Sequence, residues 1–419
     1  MSFSVNTATW VLSALTVAGV IFRPMRVPEW VFAAGGAVLL VGLGLLPWRE
    51  ALHGVEEGGD VYMFLAGMML LAETARREGL FDTLAAHAAR MAKGSPHRLF
   101  TLIFLIGTLV TVFLSNDATA VVLTPAVIAV TRAARVSSPI PYLLICAFVA
   151  NAASFVLPIS NPANLVVFGQ DMPALQDWLA RFSLPSVLAL AATFFVLRWT
   201  QDADLKGRTS TDIAIPRLSA GGRIAAFGLV AAAFVLLGCS ALGLSLGLPT
   251  LAAGLLTGFA VMLAERSSPL PLIKEISWDT LVLVAGLFVI VRALELSGLQ
   301  TVLVQALQEP LNDAPRVGAL LAGAVVAFGT NLTNNLPLGL LAGAFTTAAD
   351  LPQRVVDGIL IGVNLGPNLS VTGSLATILW LTALRRQGLS FSTWRFLKLG
   401  FVVMPPALLL ALMAVVFQP

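Results

Sequence analysis

Long apolar runs recur from one end of the chain to the other, and they limit the possible folds more than any other feature. Several runs continue for up to about 20 residues without a charged side chain, which is the length of a helix that crosses a bilayer. Only 11% of the 419 residues are Asp, Glu, Lys or Arg, whereas a soluble domain averages about 25%. Outer-membrane barrels instead use alternating strands of roughly 10 residues. The sequence therefore predicts an all-α polytopic membrane protein and excludes a soluble enzyme.

Signals for other protein classes are not found. No G-x-x-x-x-G-K-[ST] phosphate loop occurs, so the chain carries no nucleotide-driven motor of that kind. The two cysteines, Cys146 and Cys239, lie in apolar runs and are too few for a disulfide framework or a cysteine-rich metal site. Residues 1–10 lack the basic region and cleavage site of a removable signal peptide. We therefore expect no cofactor, no resident metal and no nucleic-acid partner.

Short matches recur in the same order in the two halves of the chain. The matched pairs are 65–67 with 284–286 and 79–80 with 298–299 at an offset of 219, 114–116 with 332–334 at 218, and 164–165 with 368–369 at 204. Repetition of this kind predicts a duplicated architecture. We expect a first repeat at 1–200, a charged cytoplasmic linker at 201–223 and a second repeat at 224–419.

Each repeat is expected to hold five transmembrane helices, one of them broken, and a re-entrant helical hairpin. Interrupted apolar segments predict the hairpins at about 98–132 and 313–349 and the broken helices at about 140–170 and 354–384. Irregular backbone persists at membrane depth only where it is buried in protein or lines a cavity. The complete prediction is about 10 spans and 2 hairpins.

The distribution of positive charge predicts the orientation of the two halves. With five spans in each half, twenty of the 25 Lys and Arg residues fall on one side, which the positive-inside rule makes cytoplasmic. Arg49, Arg181, Arg316 and Arg354 fall on the other side, and Arg292 lies within a span. An odd number of spans inverts the second repeat relative to the first. Both termini are then expected outside.

Polar clusters interrupt the apolar runs at 115–119, 161–164, 331–335 and 364–374. Amides and hydroxyls there can complete freed backbone hydrogen bonds or bind a ligand. Half-helix ends add their dipoles near the midplane. Polar contacts that only hold helices together are the alternative for a single residue. Four clusters in corresponding positions favour a binding site.

Asp117 is the only acidic residue in these clusters, and its counterpart at an offset of 218 is Asn335. A carboxylate removed from water holds a proton more readily, and acids inside membranes commonly mark ion or proton relays. An Asp can also cap the helix that follows it. We favour a proton-coupling role, and both roles are compatible.

Two further charges, Glu73 and Arg292, occupy corresponding places at an offset of 219. They can pair with each other across the repeats. Each also has an opposite charge three residues away, at Arg76 and Glu295 respectively, and local pairs at this spacing are favoured.

Three segments resemble the arsenite/antimonite efflux pump family (ArsB), within the ion transporter superfamily. They are FLSNDATAVVLTP at 113–125, NLTNNLP at 331–337 and LGPNLSVTGSLATILW at 365–380. The resemblance covers nearly the whole chain. By analogy, the substrate site would be lined by Asn116, Asn161, Asn164, Asn334, Asn335, Asn364 and Asn368, with the hydroxyls of Ser115, Thr119, Thr333 and Thr372 beside them. The family is often drawn with twelve crossings and cytoplasmic termini, whereas the charge count gives ten and outer termini.

The resemblance implies a secondary transporter of the bacterial inner membrane, and no enzyme, that exports As(III) and Sb(III) against proton influx by alternating access around a midplane site. A cytoplasmic ATPase (ArsA) assists some members. The substrates As(OH)3 and Sb(OH)3 are neutral triols, which suit amides and hydroxyls, and Asp117 is the candidate proton carrier. The alternatives on the same scaffold are a sodium/proton antiporter and a sodium-coupled anion transporter.

Overall fold

The chain folds into a bundle of helices, as a computed structural model that describes residues 3–24 and 27–418 shows. These residues contain no β-strand. The first half of the chain contains α1 (Phe3–Phe22), α2 (Glu29–Gly42), α3 (Trp48–Glu57), α4 (Gly59–Arg77), α5 (Leu80–Met91), α6 (Pro96–Phe113), α7 (Asn116–Ala118), a π-helical turn (Thr119–Leu123), α8 (Thr124–Ala133), α9 (Ile140–Ala152), α10 (Pro162–Phe168) and α11 (Leu175–Gln201).

The second half begins after an extended linker. It contains α12 (Ala220–Ala241), α13 (Gly247–Glu265), α14 (Leu270–Glu275), α15 (Trp278–Leu296), α16 (Leu299–Asp313), α17 (Pro315–Thr333), α18 (Asn335–Ala349), α19 (Gln353–Leu365), α20 (Leu375–Arg386) and α21 (Thr393–Phe417). The order of long, short and broken helices is the same as in the first half. The inversion of one half relative to the other stays a prediction.

Seven helices in the described part of the chain are long and apolar enough to cross a bilayer. They are α1, α6, α11, α12, α13, α17 and α21, and the count is eight if α15 and α16, bent by 63° at their junction, form one broken span. The prediction of an all-helical multi-pass membrane protein is confirmed. The first arms of the two expected hairpins, α6 and α17, are 18 and 19 residues long and therefore reach spanning length. The count of ten spans stays a prediction.

Packing between the halves is reciprocal. Helix α4 packs on α13, and its counterpart α15 packs on α2. Helix α10 packs on α18, and α20 packs on the π-helical turn that follows α7. Each broken helix therefore places its second piece against the hairpin of the other half. Contacts of this kind bring residues about 200 positions apart to one central region.

Small residues allow the closest of these helix contacts. A Cβ added at Gly67 of α4 would overlap the backbone carbonyl of Thr250 in α13, and one added at Gly254 would lie 2.6 Å from the carbonyl oxygen of Gly67. Helices in membranes associate through such close packing because lipid supplies no hydrophobic force between them. The α4–α13 contact therefore depends on glycine on both helices.

Charged residues near the ends of the helices form ion pairs. Glu73 binds Arg76 at 2.6 Å and Arg77 at 2.9 Å, which confirms the favoured local pairing. Arg292 binds Glu295 at 3.3 Å, also as predicted, and binds Glu50 of α3 at 2.8 Å, which the sequence did not predict. The alternative pair of Glu73 with Arg292 is not formed.

Two of the arginines used to predict the orientation are Arg181 and Arg26. Arg181, expected on the outer side, forms an ion pair with the buried Asp357 of α19. Arg26, counted as cytoplasmic, lies outside the described residues.

Candidate functional site

Four short helices that follow the interruptions in the apolar runs each begin after a polar side chain that caps the first turn. Ser115 Oγ accepts from the backbone N–H of Ala118 at 3.2 Å, and Asn161 Oδ1 accepts from Ala163 at 3.0 Å. The capping residues, in chain order, are Ser115 before α7, Asn161 before α10, Asn334 before α18 and Ser374 before α20. Ser, Asn and Thr are favoured at this position because their oxygens satisfy an orphan N–H. These caps explain why the chain can restart a helix at each interruption.

The caps also allow the helix starts of the two halves to be compared. Helices α7 and α18 start 219 residues apart, so Asn116 corresponds to Asn335 and Asp117 to Leu336. The correspondence of Asp117 with Asn335, taken from an offset of 218, is therefore wrong by one position. Asp117 remains the acid that breaks the similarity between the halves.

A second correction concerns the broken helices. Helices α9 and α19, and likewise α10 and α20, start 213 residues apart. This offset pairs Asn151 with Asn364 and Asn164 with Thr377, so the pairing of Asn164 with Asn368 at an offset of 204 is wrong. A two-residue match in a chain with many Asn-Leu pairs carried too little information to define the register.

Asn364, at the end of α19, is the centre of a buried hydrogen-bond network. Its Nδ2 donates to Asn164 Oδ1 at 3.0 Å and to the carbonyl of Leu360 at 2.9 Å. Its Oδ1 accepts from Ser154 Oγ at 2.6 Å and from Asn161 Nδ2 at 2.7 Å. The structure therefore brings three of the predicted site residues, Asn161, Asn164 and Asn364, into direct contact.

Asn151 in α9, the counterpart of Asn364, connects the first broken helix to the second. Its Nδ2 donates to Thr377 Oγ1 at 3.3 Å, as Asn364 donates to Asn164, and also to Asn368 Oδ1 at 3.1 Å. Asn368 Nδ2 in turn donates to the carbonyl of Phe148 at 3.1 Å. The two broken helices are thus joined by amide contacts in both directions.

The sequence reasoning missed three members of this amide network: Asn151, Ser154 and Thr377. Asn151 lies inside the apolar helix α9, Ser154 lies in the turn after it, and Thr377 lies in the first turn of α20. The signal that could have found Asn151 is its position, 213 residues before Asn364, as the only amide in a 13-residue apolar helix. All three side chains are buried.

The tip of the first hairpin is organised separately from this network. Asn116 Oδ1 accepts from the backbone N–H of Asp117 at 2.9 Å. Thr119 Oγ1 lies 2.8 Å from Thr111 Oγ1 across the hairpin. Within the described part of the chain, neither side chain hydrogen bonds to the amide network. Helix α20, which carries Thr377 of the network, packs on α7 and the π-helical turn.

The second hairpin tip is likewise separate. Thr333 Oγ1 donates to Gly329 within its own helix at 3.1 Å, and Asn334 acts as the cap of α18 with φ of 70°. Thr372 is exposed and donates to the carbonyl of Asn331 at 3.0 Å. Asn335 is buried, and no hydrogen bond of its side chain is found among the described residues. Of the residues predicted for this half, only Asn364 and Asn368 belong to the network.

A cavity of about 70 Å³ separates the first hairpin tip from α4 and α15. Its polar lining consists of Glu73, Ser115, Asp117, Ser277 and Thr280, with methionine and leucine side chains around them. One water needs roughly 10–15 Å³ by this measure, so the cavity has room for several waters or a small solute. The Asp117 carboxylate is half-buried and forms no hydrogen bond with any described group. The carboxylate of Asp117 therefore faces the cavity without a protein partner among the described residues.

Neither thiol hydrogen bonds to the amide network within the described part of the chain. Cys146 is fully buried in α9, Cys239 is half-buried in α12, and both are free. Among the described residues, no three His, Cys, Asp or Glu side chains are grouped closely enough to hold a metal ion. The central network is thus made of amides and hydroxyls, and the cavity beside it adds the carboxylates of Asp117 and the ion-paired Glu73.

Comparison with known proteins identifies several similar transporters. The profile of the family described as CitMHS, citrate transporter, matches residues 14–360. The arsenical pump membrane protein of Escherichia coli K12 is 26% identical over 96% of this chain and 97% of its own length. That of Yersinia enterocolitica is 27% identical over 81% of this chain and 82% of its own length. The resemblance that the sequence motifs predicted is therefore confirmed.

Other relatives extend the similarity without naming a substrate. An uncharacterized transporter of Mycobacterium tuberculosis is 27% identical over 92% of this chain and 93% of its own length. The crystal structure of the Alcanivorax borkumensis YdaH transporter, described as having an unusual topology, superimposes with a TM-score of 0.59. It shares 16% identity and covers 88% of this chain and 87% of its own. This last similarity concerns the fold alone.

Proposed function

The chain belongs to the CitMHS (citrate transporter) family, and we propose that within this family it is a secondary transporter that exports As(III) and Sb(III) from the cytoplasm. The observation that carries this proposal is the buried network of Asn151, Asn161, Asn164, Asn364 and Asn368, which joins two broken helices and contains no cation. The names of the arsenical pump relatives supply the substrate class.

The chemistry of the network suits a neutral polyol better than a carboxylate. Arsenous acid is an uncharged triol near neutral pH, and it can donate to Asn Oδ1 atoms while it accepts from Nδ2 groups. A tricarboxylate such as citrate carries negative charge and is commonly held by Arg or Lys. In the described part of the chain, the side chains that hydrogen bond within this network are amides and hydroxyls. The sodium-coupled anion alternative is therefore not favoured.

Transport requires that the network open, because its amides satisfy one another. Asn364 uses both donors and accepts two bonds, so a solute can bind there only by replacing some of those partners. A ligand shifts such an equilibrium by its differential affinity for the two arrangements. We assign alternating access to movement of the two broken helices and their hairpins around this network.

Export of a neutral solute against its gradient needs a driving ion, and we assign proton coupling to Asp117. Its carboxylate faces the cavity of about 70 Å³ without a hydrogen-bond partner among the described residues. One proton would bind Asp117 from the outside and leave to the cytoplasm in each cycle, while the metalloid moves outward. An ArsA-type ATPase partner is compatible with this cycle and is not required by it.

The proposal is tested by expression in an arsenite-sensitive host and by uptake into everted vesicles. We expect resistance to As(III) and Sb(III), together with As(III) uptake driven by a pH gradient and independent of sodium. Saturating citrate should not compete. Absence of resistance with confirmed membrane expression would reject the substrate assignment. Sodium-driven citrate movement would establish the anion alternative, and sodium-dependent proton flux would establish the antiporter.

A further inference from the structure

A large open cavity of about 920 Å³ lies between the α5–α6 turn and the linker between the repeats, far from the amide network. Its lining includes Lys93, Arg98, Lys206 and Arg208, which form no ion pair among the described residues, and one acid, Asp202. The Asp202 carboxylate lies 3.8 Å from His97 Nε2. The cavity therefore has a strong excess of positive charge.

The linker forms a fixed wall of this cavity. The backbone N–H of Thr209 donates to the carbonyl of Gly94 at 3.0 Å, and that of Ser210 donates to Ala134 at 2.8 Å. Leu205 is 1% exposed and anchors the start of the same segment in the core. These contacts hold the cations of the linker opposite those of the α5–α6 turn.

A second, more apolar cavity of about 310 Å³ continues from the first. His97 and Arg98 line both, and the second adds Arg198, Met91 and Leu102. The basic cluster is thus extended by one further cation at the end of α11. Its neighbour Trp199 is 74% exposed, as expected for a residue at the membrane–water interface.

The apolar cavity leads onto the lipid-facing side of α6. Arg98, Leu102, Leu105 and Leu109 recur at intervals of three or four residues and therefore share one helical face. Leu105 is 53% exposed and Leu109 is 57% exposed. A polar, cationic cavity thus joins a continuous apolar stripe at the level of the membrane interface.

We propose that this double cavity is a binding site for an anionic phospholipid, whose phosphate headgroup lies among Lys93, Arg98, Lys206 and Arg208 and whose acyl chains lie along Leu102, Leu105 and Leu109. The charge complements a phosphodiester, and the stripe complements an acyl chain. Basic pockets at the cytoplasmic ends of transmembrane helices recognise such headgroups. The positive-inside rule predicts that this end of α6 lies on the cytoplasmic side. The site is independent of the proposed substrate.

The test is native mass spectrometry of the full chain, purified in a neutral detergent and titrated with phosphatidylglycerol or with phosphatidylcholine of the same acyl chains. We expect the first phosphatidylglycerol to bind at least tenfold more tightly than phosphatidylcholine. Because each cation near the surface contributes about 1 kcal/mol to such binding, Arg98→Gln with Lys206→Gln should weaken it about thirtyfold. Equal affinity for the two lipids would overturn the proposal.

A matched control removes two positive charges elsewhere on the predicted cytoplasmic side of the protein. Arg385→Gln with Arg386→Gln alters two exposed cations outside both cavities and should leave the affinity within twofold. Arg208→Gln alone, in the exposed linker, should lose about fivefold and serves if the double variant does not fold. Equal losses in the control and in the Arg98 variant would show general charge attraction and overturn the site.

Two competition arms identify other sources of the same chemistry. Inorganic phosphate at millimolar concentration should not displace the lipid, because it lacks the acyl chains that the apolar stripe binds. Displacement by phosphate would make this a site for a free anion, and displacement by polyglutamate would make it a docking site for an acidic protein. Either result would overturn the lipid assignment.

Discussion

Replacing Asn364 by leucine should weaken the fold more than any other single change in the amide network. Leucine is branched at the same carbon as asparagine but is larger, and the substitution removes the partner of Asn164 Oδ1 and of Asn161 Nδ2. Ser154 keeps its second bond, to the carbonyl of Asn151 at 2.6 Å. Two buried polar atoms are therefore orphaned. Each such orphan costs about 1–3 kcal/mol, so the expected loss is about 2–6 kcal/mol.

The symmetry-related change, Asn151→Leu, is the matched control. It orphans Asn368 Oδ1, whereas Thr377 Oγ1 keeps its contact with Ser374 Oγ at 2.9 Å. One orphan predicts a loss of about 1–3 kcal/mol. Asn364→Leu should therefore cost about twice as much as Asn151→Leu, although both remove one asparagine from equivalent positions.

The assay is equilibrium unfolding in mixed detergent micelles, followed by tryptophan fluorescence and far-UV circular dichroism on the purified chain. Agreement of the two probes tests whether the transition is two-state, and only then is a free energy defined. Equal losses for the two variants, or a larger loss for Asn151→Leu, would refute the reasoning from orphaned partners. As(III) resistance in the same strains reports transport separately.

Three further changes test other parts of the structure. Asp117→Asn should abolish As(III) uptake driven by a pH gradient while gradient-independent As(III) exchange persists, and full gradient-driven uptake would contradict its proton role. Gly67→Ala should lower the free energy of unfolding in micelles by about 1–3 kcal/mol, because the new Cβ meets the backbone of α13. At Gly35 no atom lies within 4 Å of a new Cβ, so Gly35→Ala should change this free energy by less than about 1 kcal/mol. Arg181→Ala should cost about 3–5 kcal/mol by leaving the Asp357 carboxylate buried and unpaired; removal of both partners should cost less than the sum of the single losses, and additive losses would show that the pair is not coupled.

The two halves are alike at the amides and differ at one carboxylate. Asn364 donates to Asn164, and at the equivalent positions Asn151 donates to Thr377. Asp117 has an apolar counterpart, Leu336, in the second hairpin. In the proposed cycle the proton binds at Asp117 on one hairpin only, so that no fixed charge is placed among the amides.

The sequence alone was sufficient to predict the features that depend on near neighbours. Apolar runs of spanning length determine helices, because the backbone must satisfy its own hydrogen bonds in lipid. Ser115 and Asn161 mark the interruptions, since a capping oxygen bonds to an N–H only two or three residues away. The pairing of Glu73 with Arg76 follows from the helical repeat in the same way.

Only the tertiary structure decided which distant residues meet. The contacts of Asn364 with Asn161 and Asn164 join residues about 200 positions apart and depend on helix packing. The contact of Arg292 with Glu50 likewise joins residues 242 positions apart. A side chain in an apolar helix carries no local sign of its partner, because the free energy of the contact arises only when the two helices pack. The residues at the interruptions were thus visible in the sequence, while the network that they form was decided by the fold.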